Sequence, residues 1–328
     1  MSGVEAVCGI EDPRYEQARE KARNNDFEGS LALLSDLLEQ TCQKYGELNI
    51  KTAPVYYRYG SILIERVNVE TGGALSNAIE EDVKIAWENL EAARYIYEKS
   101  GSNKEELAQV LMRLGDVSLM NGNYETSVKD NKSSLKILKS IYPASSRPVG
   151  DSESAVAIAL FYYAQDNCMI YSNMKEDMEE NPEEEEVSAI SMELYLTKAK
   201  EAMQESLSHF RESSRIFRFL VAEQAVEQHI LDPTSADPNN ITNDVLNVIV
   251  NNLSNIQDMK IQEDMQINLE IIHDLDDKIN DCNNWTVQKE LDKIEQENAE
   301  LDGEMDEGEE EGDDDDEMDM EGDLEDTN

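Results

Sequence analysis

The sequence predicts an all-α fold, a superhelix of about four repeated helix pairs, and three observations carry that prediction. The chain of 328 residues is rich in Glu and holds only 7 prolines, so helix is favoured almost throughout. Small residues recur at a fixed distance ahead of a turn and a second apolar helix, which is the pattern of a helix-pair repeat of about 34 residues. Apolar residues at helical spacing then continue beyond the repeats. The domain plan is a repeat array over residues 1–232, a linker over 233–243, capping or amphipathic helices over 244–300 and a disordered acidic tail over 301–328.

The first pair has Ala18 in the small-residue slot, Asn25-Asp26-Phe27-Glu28 as the turn, and Leu31, Leu34, Leu37 and Leu38 on its second helix. In the second pair, Tyr56, Tyr57, Tyr59, Gly60 and Leu63 lie on one helix and Ala86, Leu90 and Ala93 on the other. Gly60 and Ala86 are 26 positions apart, against about 12 in an uninterrupted repeat, so this pair is interrupted, with Gly72 and Gly73 making a loop. The third pair is the most regular: Leu111, Leu114 and Gly115, the turn Asn121-Gly122-Asn123-Tyr124-Glu125, then Ser127, Leu135 and Leu138. A fourth pair places its helices within 151–172 and 194–219, and either Ala157 or Leu160 fills the small slot. From Asp232-Pro233 to Asn240 turn formers break the pattern. Val245, Ile249, Leu253 and Ile256, then Met265, Leu269, Ile272, Leu275 and Ile279, mark two amphipathic helices, one or both suited to cap the last repeat. The apolar stripe over 285–301 is thin.

Charge is the second signal. The net value is -45, and two runs hold much of it: 17 carboxylates with no base between Asp302 and Asp326, and eight between Glu176 and Glu186. Blocks of like charge with little apolar content predict disorder, for the tail and for an insertion over about 174–188 inside the fourth pair. Their acidic contact candidates are Glu179, Glu180, Glu183, Glu184, Glu185, Glu186, Asp313, Asp314, Asp315 and Asp316. Such a chain repels nucleic acid and anionic membranes and suits a basic partner. A purely solubilising tail is the plainer alternative.

Stacked first helices line a concave groove, and repeat register puts Tyr15, Arg19, Tyr57, Arg58, Ser61, Met112, Arg113, Asp116 and Leu119 on it. Tyr57, Arg58, Ser61, Met112, Asp116 and Leu119 are the binding candidates: an apolar floor for a helix, with Asp116 available to a ligand's Arg or Lys.

The segment YYRYGSILIERVNVETGGALSNAIEEDVKIAWENLEAARYIYEKS resembles the interrupted second repeat of the nuclear autoantigenic sperm protein (NASP) family, whose members are tetratricopeptide-repeat (TPR) histone chaperones. The likeness extends through LAQVLMRLGDVSLMNGNYETSVKDNKSSLKILKSIYPASSR and more loosely to about Phe219. It implies binding of histone H3 or H3–H4, handover to nucleosome-assembly factors, and a largely nuclear location. One departure stands out: the family's long acidic insertion in the second repeat is replaced here by a short, mildly acidic 65–82, and the carboxylate blocks sit in the fourth repeat and tail.

Other classes find little support. His209, His229 and His273 stand singly, the four cysteines have no paired spacing, and no Gly-rich phosphate loop occurs, so neither cofactor, metal nor catalysis is expected. No apolar run is long enough for a membrane span. The alternative function is a TPR adaptor gripping the acidic C-terminal peptide of a heat-shock protein, a grip that resembles a Lys, Asn, Asn, Lys, Arg clamp. The matching positions here are Tyr15, Arg19, Arg58, Gln109 and Arg113, of which only the last agrees.

Overall fold

The computed structural model describes residues 9–71, 77–180, 185–237 and 240–307, with no strand among them. Four helix pairs form the array: α1 (Pro13–Arg23) with α2 (Phe27–Tyr45), α3 (Ala53–Thr71) with α4 (Asn77–Ser100), α5 (Lys104–Met120) with α6 (Tyr124–Ile141), and α7 (Arg147–Glu180) with α8 (Glu185–Glu227). Three further helices follow: α9 (Asn243–Asn252), α10 (Met259–Asn284) and α11 (Val287–Glu307). The chain is a TPR-type superhelix with C-terminal capping helices.

One recurring contact fixes the first, third and fourth pairs. Ser30 Oγ donates to the Ala18 carbonyl at 2.7 Å, Ser127 Oγ to Gly115 at 2.8 Å and Ser206 Oγ to Ala157 at 2.8 Å. Seven residues further along the second helix and seven back along the first, Ser134 bonds the Ala108 carbonyl and Ser213 the Gly150 carbonyl. Only small side chains let two helix backbones approach closely enough for a hydroxyl to bridge them. In the second pair the same place is taken by Gly60 and Ala86: a Cβ on Gly60 would meet Leu90 Cγ at 2.9 Å and the Ala86 carbonyl at 3.0 Å. The fourth slot is therefore filled by Ala157, and Leu160 is an ordinary core residue.

The turns obey local rules. Asn25 and Gly122, at equivalent places, take left-handed backbone with φ of 60° and 68°. Asp26 and Asn123 then cap the next helix by accepting from the amides of Gly29 and Thr126.

Among the described residues, helix reaches into both sides of the expected acidic insertion, and residues 181–184 lie outside them. Backbone helix runs through Glu179 and Glu180 at the end of α7 and resumes with Glu185 and Glu186 at the start of α8, while Glu183 and Glu184 lie outside the described residues. Glu is a good helix former, and Met174 and Met178 near the end of α7 are partly buried while Met192 near the start of α8 is buried. Helix α11 also continues to Glu307, past the expected start of the tail at 301. Residues 308–328, with Asp313, Asp314, Asp315 and Asp316, and the pair Gly72 and Gly73 lie outside the described residues.

Two larger cores result. One joins α1–α5, with Leu34, Ile62, Leu90 and Leu114 fully buried; the other joins α5–α10, with Phe210, Phe217, Ile249 and Met265. Helix α10 covers α8 through Ile272 and Leu275 and through ion pairing of Asp276 with Arg218. Helix α11 lies along α7, where Ile294 packs with Cys168 and Ala199, and Gln165 bonds Glu290.

Candidate protein-binding groove

With Ala18, Gly60, Gly115 and Ala157 as common origin, the first helices offer equivalent positions. Three residues before the origin stand Tyr15, Tyr57, Met112 and Ser154; one residue after it stand Arg19, Ser61, Asp116 and Ile158. These positions share the face that a helix-pair array turns inward.

At one end, Tyr57, Arg58 and Tyr15 come together. The Arg58 guanidinium lies 5.7 Å from the Tyr15 ring centre and 5.8 Å from that of Tyr57, within cation–π range. With Gln109, Glu106 and buried Tyr97 they line a cavity of about 390 Å³. In the middle, Arg113 pairs with Asp116 at 3.1 Å and with Glu65 at 3.4 Å. Burial pushes the Asp116 carboxyl above its ordinary range, an effect that Arg113 partly offsets. At the other end, Leu119 meets Tyr124, Tyr162 and Lys84 around a second opening, with Tyr124 stacked on Tyr162 at 6.0 Å.

Four expectations change. Ser61 is 1% exposed and faces the packing between helices, so it offers nothing to a ligand. Asp116 is not an unclaimed carboxylate, since Arg113 already holds it. Met112 is half-buried against the core of the later helices, which ties it to packing as much as to the groove. Arg19 is taken up by Glu16 at 2.7 Å.

The fourth repeat adds residues that sequence reasoning missed. On α7, Ile158, Tyr162 and Met169 are exposed at 36%, 45% and 39%, spaced to share one face. Asp151 and Asp166 stand on the same helix, both carboxyls pushed up by burial, that of Asp151 partly offset by Arg147. Choosing Ala157 as the small residue would have exposed this stripe, because Ile158 then falls in register with Asp116. The resulting surface combines exposed apolar side chains with Glu65, Asp116, Asp151 and Asp166, while its two arginines are stacked or doubly paired.

Other chemistry is sparse. Among the described residues, no cluster of His, Cys, Asp and Glu suited to a metal occurs and no helix is long and apolar enough to cross a membrane. His209 contacts buried Glu153, and His273 lies 3.3 Å from Asp277. Burial pushes the Cys168 thiol up to about 12, far from a reactive thiolate.

One family model agrees with this repeat architecture. The SHNi-TPR family model matches residues 108–145, which covers most of α5, all of α6 and the turn beyond. No curated protein matches the chain. Among solved structures, a crystal structure of nearly identical TPR-like repeats, of kinesin light chain type from Podosopora anserina, is similar at 15% identity and a TM-score of 0.39, covering 66% of this chain and 95% of that one. A TPR-type repeat scaffold is a surface for protein–protein interaction.

Proposed function

We propose that this chain is a histone chaperone that holds H3, alone or with H4, in the TPR groove and supplies it for nucleosome assembly. The observation that carries the reading is the inner face of α7, where Ile158 and Tyr162 are exposed beside Asp151 and Asp166. Such a surface suits a basic amphipathic helix: its apolar side docks on Ile158 and Tyr162, and its Arg or Lys meets carboxylates whose burial strengthens the pairing. The SHNi-TPR match in the third repeat, a repeat type found in NASP-like proteins, and the sequence resemblance to that family favour histones as the basic partner.

In this reading, specificity resides in the groove. The acidic blocks at 176–186 and 302–326 add attraction and cover basic surface, each exposed pair contributing about 0.2–1 kcal/mol and screened by salt. Release follows when DNA or another chaperone competes for the same charge. Nuclear residence belongs to the same proposal. An adaptor for an acidic heat-shock peptide is disfavoured, because Arg113, the one position that agrees with that clamp, already satisfies Asp116 and Glu65.

The test is the affinity of the full chain for H3–H4, for the other core-histone dimer and for a neutral control protein, titrated from low to high salt. Tight H3–H4 binding that survives high salt supports the proposal. Binding to every basic protein that vanishes with salt would leave only nonspecific polyanion behaviour and sink it.

A further inference from the structure

Helix α6 carries Lys129, Lys132, Lys136 and Lys139, whose spacing sets them along one side of the helix. Lys132 pairs with Glu205 at 2.8 Å and Lys139 with Glu153 at 2.7 Å. Lys129 and Lys136 are exposed and have no carboxylate within salt-bridge reach among the described residues, in a chain with 73 Asp and Glu against 28 Lys and Arg. They rim a cavity of about 630 Å³ between α4, α5 and α6, together with Lys104, over a floor of Leu107, Leu111 and Ile137. The cavity's own acids are Glu98, held by Arg94 at 3.0 Å, and half-buried Asp130. An apolar floor under a lysine rim fits an acidic peptide that carries an aliphatic residue.

The chain supplies such a peptide at 321–326, where Leu324 is flanked by Glu321, Asp323, Glu325 and Asp326. We propose that this segment docks in the α4–α5–α6 cavity of its own chain, with Leu324 on the floor and its carboxylates on Lys104, Lys129 and Lys136. A net charge of -45 repels a separate acidic protein, and for a tethered segment the high effective concentration offsets that repulsion.

The reach suffices. Gln165 bonds Glu290 and Asn298 bonds Glu176, so α11 runs beside α7 in the same direction. Ala157 marks the level of Lys132, through Ser206 and its neighbour Glu205. Helical rise from Glu307 back to Asn298 and from Glu176 back to Ala157 amounts to roughly 42 Å. An extended chain from Glu307 to Leu324 spans up to about 58 Å. This inference is independent of what the groove binds, and it makes the cavity a place where acidic tail charge is held in reserve.

Zero-length carbodiimide cross-linking of the full chain, read by mass spectrometry, tests it. Cross-links from 321–326 should concentrate on Lys104, Lys129 and Lys136 within monomeric protein, about fivefold over exposed Lys99 and Lys200, and persist on dilution. Leu324→Asp, which keeps every reacting group, should reduce them several-fold. The double variant Lys129→Glu, Lys136→Glu should likewise lose the Lys104 link with an unchanged circular dichroism spectrum. An even spread over all exposed lysines, links only between copies, or indifference to Leu324→Asp would overturn the proposal.

Discussion

The second and fourth repeats are both interrupted, yet they accommodate the interruption differently. The defining contact is separated by 26 residues in the second, from Gly60 to Ala86, and by 49 in the fourth, from Ala157 to Ser206. Each keeps its small-residue crossing and lets the added chain lengthen both helices. In the second repeat the longer ends of α3 and α4 are joined by the Arg66–Asp82 pair. In the fourth, helices of 34 and 43 residues lie against α10 and α11. The crossing is a local device that tolerates insertions beyond it, whereas a long hairpin has an outer face that needs another helix to bury it.

The strongest way to break this comparison is to loosen the buttress. Ile272→Ala and Leu275→Ala on α10 should each cost about 2–5 kcal/mol, seen in chemical denaturation. Hydrogen exchange should rise in α7 and α8 while α1–α4 stay protected, because the two larger cores are distinct.

A smaller effect should come from Glu153, 1% exposed on α7 and bound by Lys139 of α6 and His209 of α8. Burial raises its carboxyl, but hydrogen bonds from His209 and Lys139 and their charge outweigh this and hold it below the ordinary glutamate range. A depressed carboxyl contributes stability above its unfolded value and loses it as pH falls through the folded one. Glu153→Gln should therefore cost about 1–3 kcal/mol near neutral pH, and the gap to the parent protein should narrow on acidification. A gap independent of pH would show that the ion pairs are not its source.

The second repeat should respond to Gly60→Ala by about 1–2 kcal/mol, since the added methyl meets backbone at Ala86 as well as Leu90. A gain instead, from helix propensity, would mean that α3 and α4 can part at no cost.

Acidification should also weaken capture of a basic partner. Asp151 and Asp166 have carboxyls raised by burial, so they protonate early as pH falls, and each protonation removes a charge that the ligand needs. A several-fold loss of affinity through that range, measured at constant salt, is expected.

Much of the array was legible because its punctuation is chemical: Gly60 and Gly115 where helices touch, Asn25 and Gly122 where φ turns positive, Asp26 and Asn123 as caps. Ala157 and Leu160 could not be separated by spacing, since both are apolar and one turn apart; the Ser206 bond that decides between them lies 49 residues away. The carboxylate run at 176–186 pointed to disorder on charge density alone, whereas its described ends, 176–180 and 185–186, are helical, as the helix propensity of Glu and the burial of Met174, Met178 and Met192 at helical positions allow. Ser61 follows the inward register yet is buried, because register gives a direction and not the width of the gap to the next helix. The docking of α11 was hidden by a sparse apolar stripe, which Glu290 supplements with bonds to Gln165 and Trp285.

In the proposed function, specificity lies in the groove and attraction in the acidic blocks. Ile158→Ser with Tyr162→Ser removes exposed apolar surface without changing charge, and H3–H4 affinity of this variant at high salt is the most direct measurement. A loss of about tenfold or more is expected at high salt, where the parent protein still binds, with a smaller difference at low salt. Equal affinity of variant and parent at high salt would contradict it and move the binding surface away from α7.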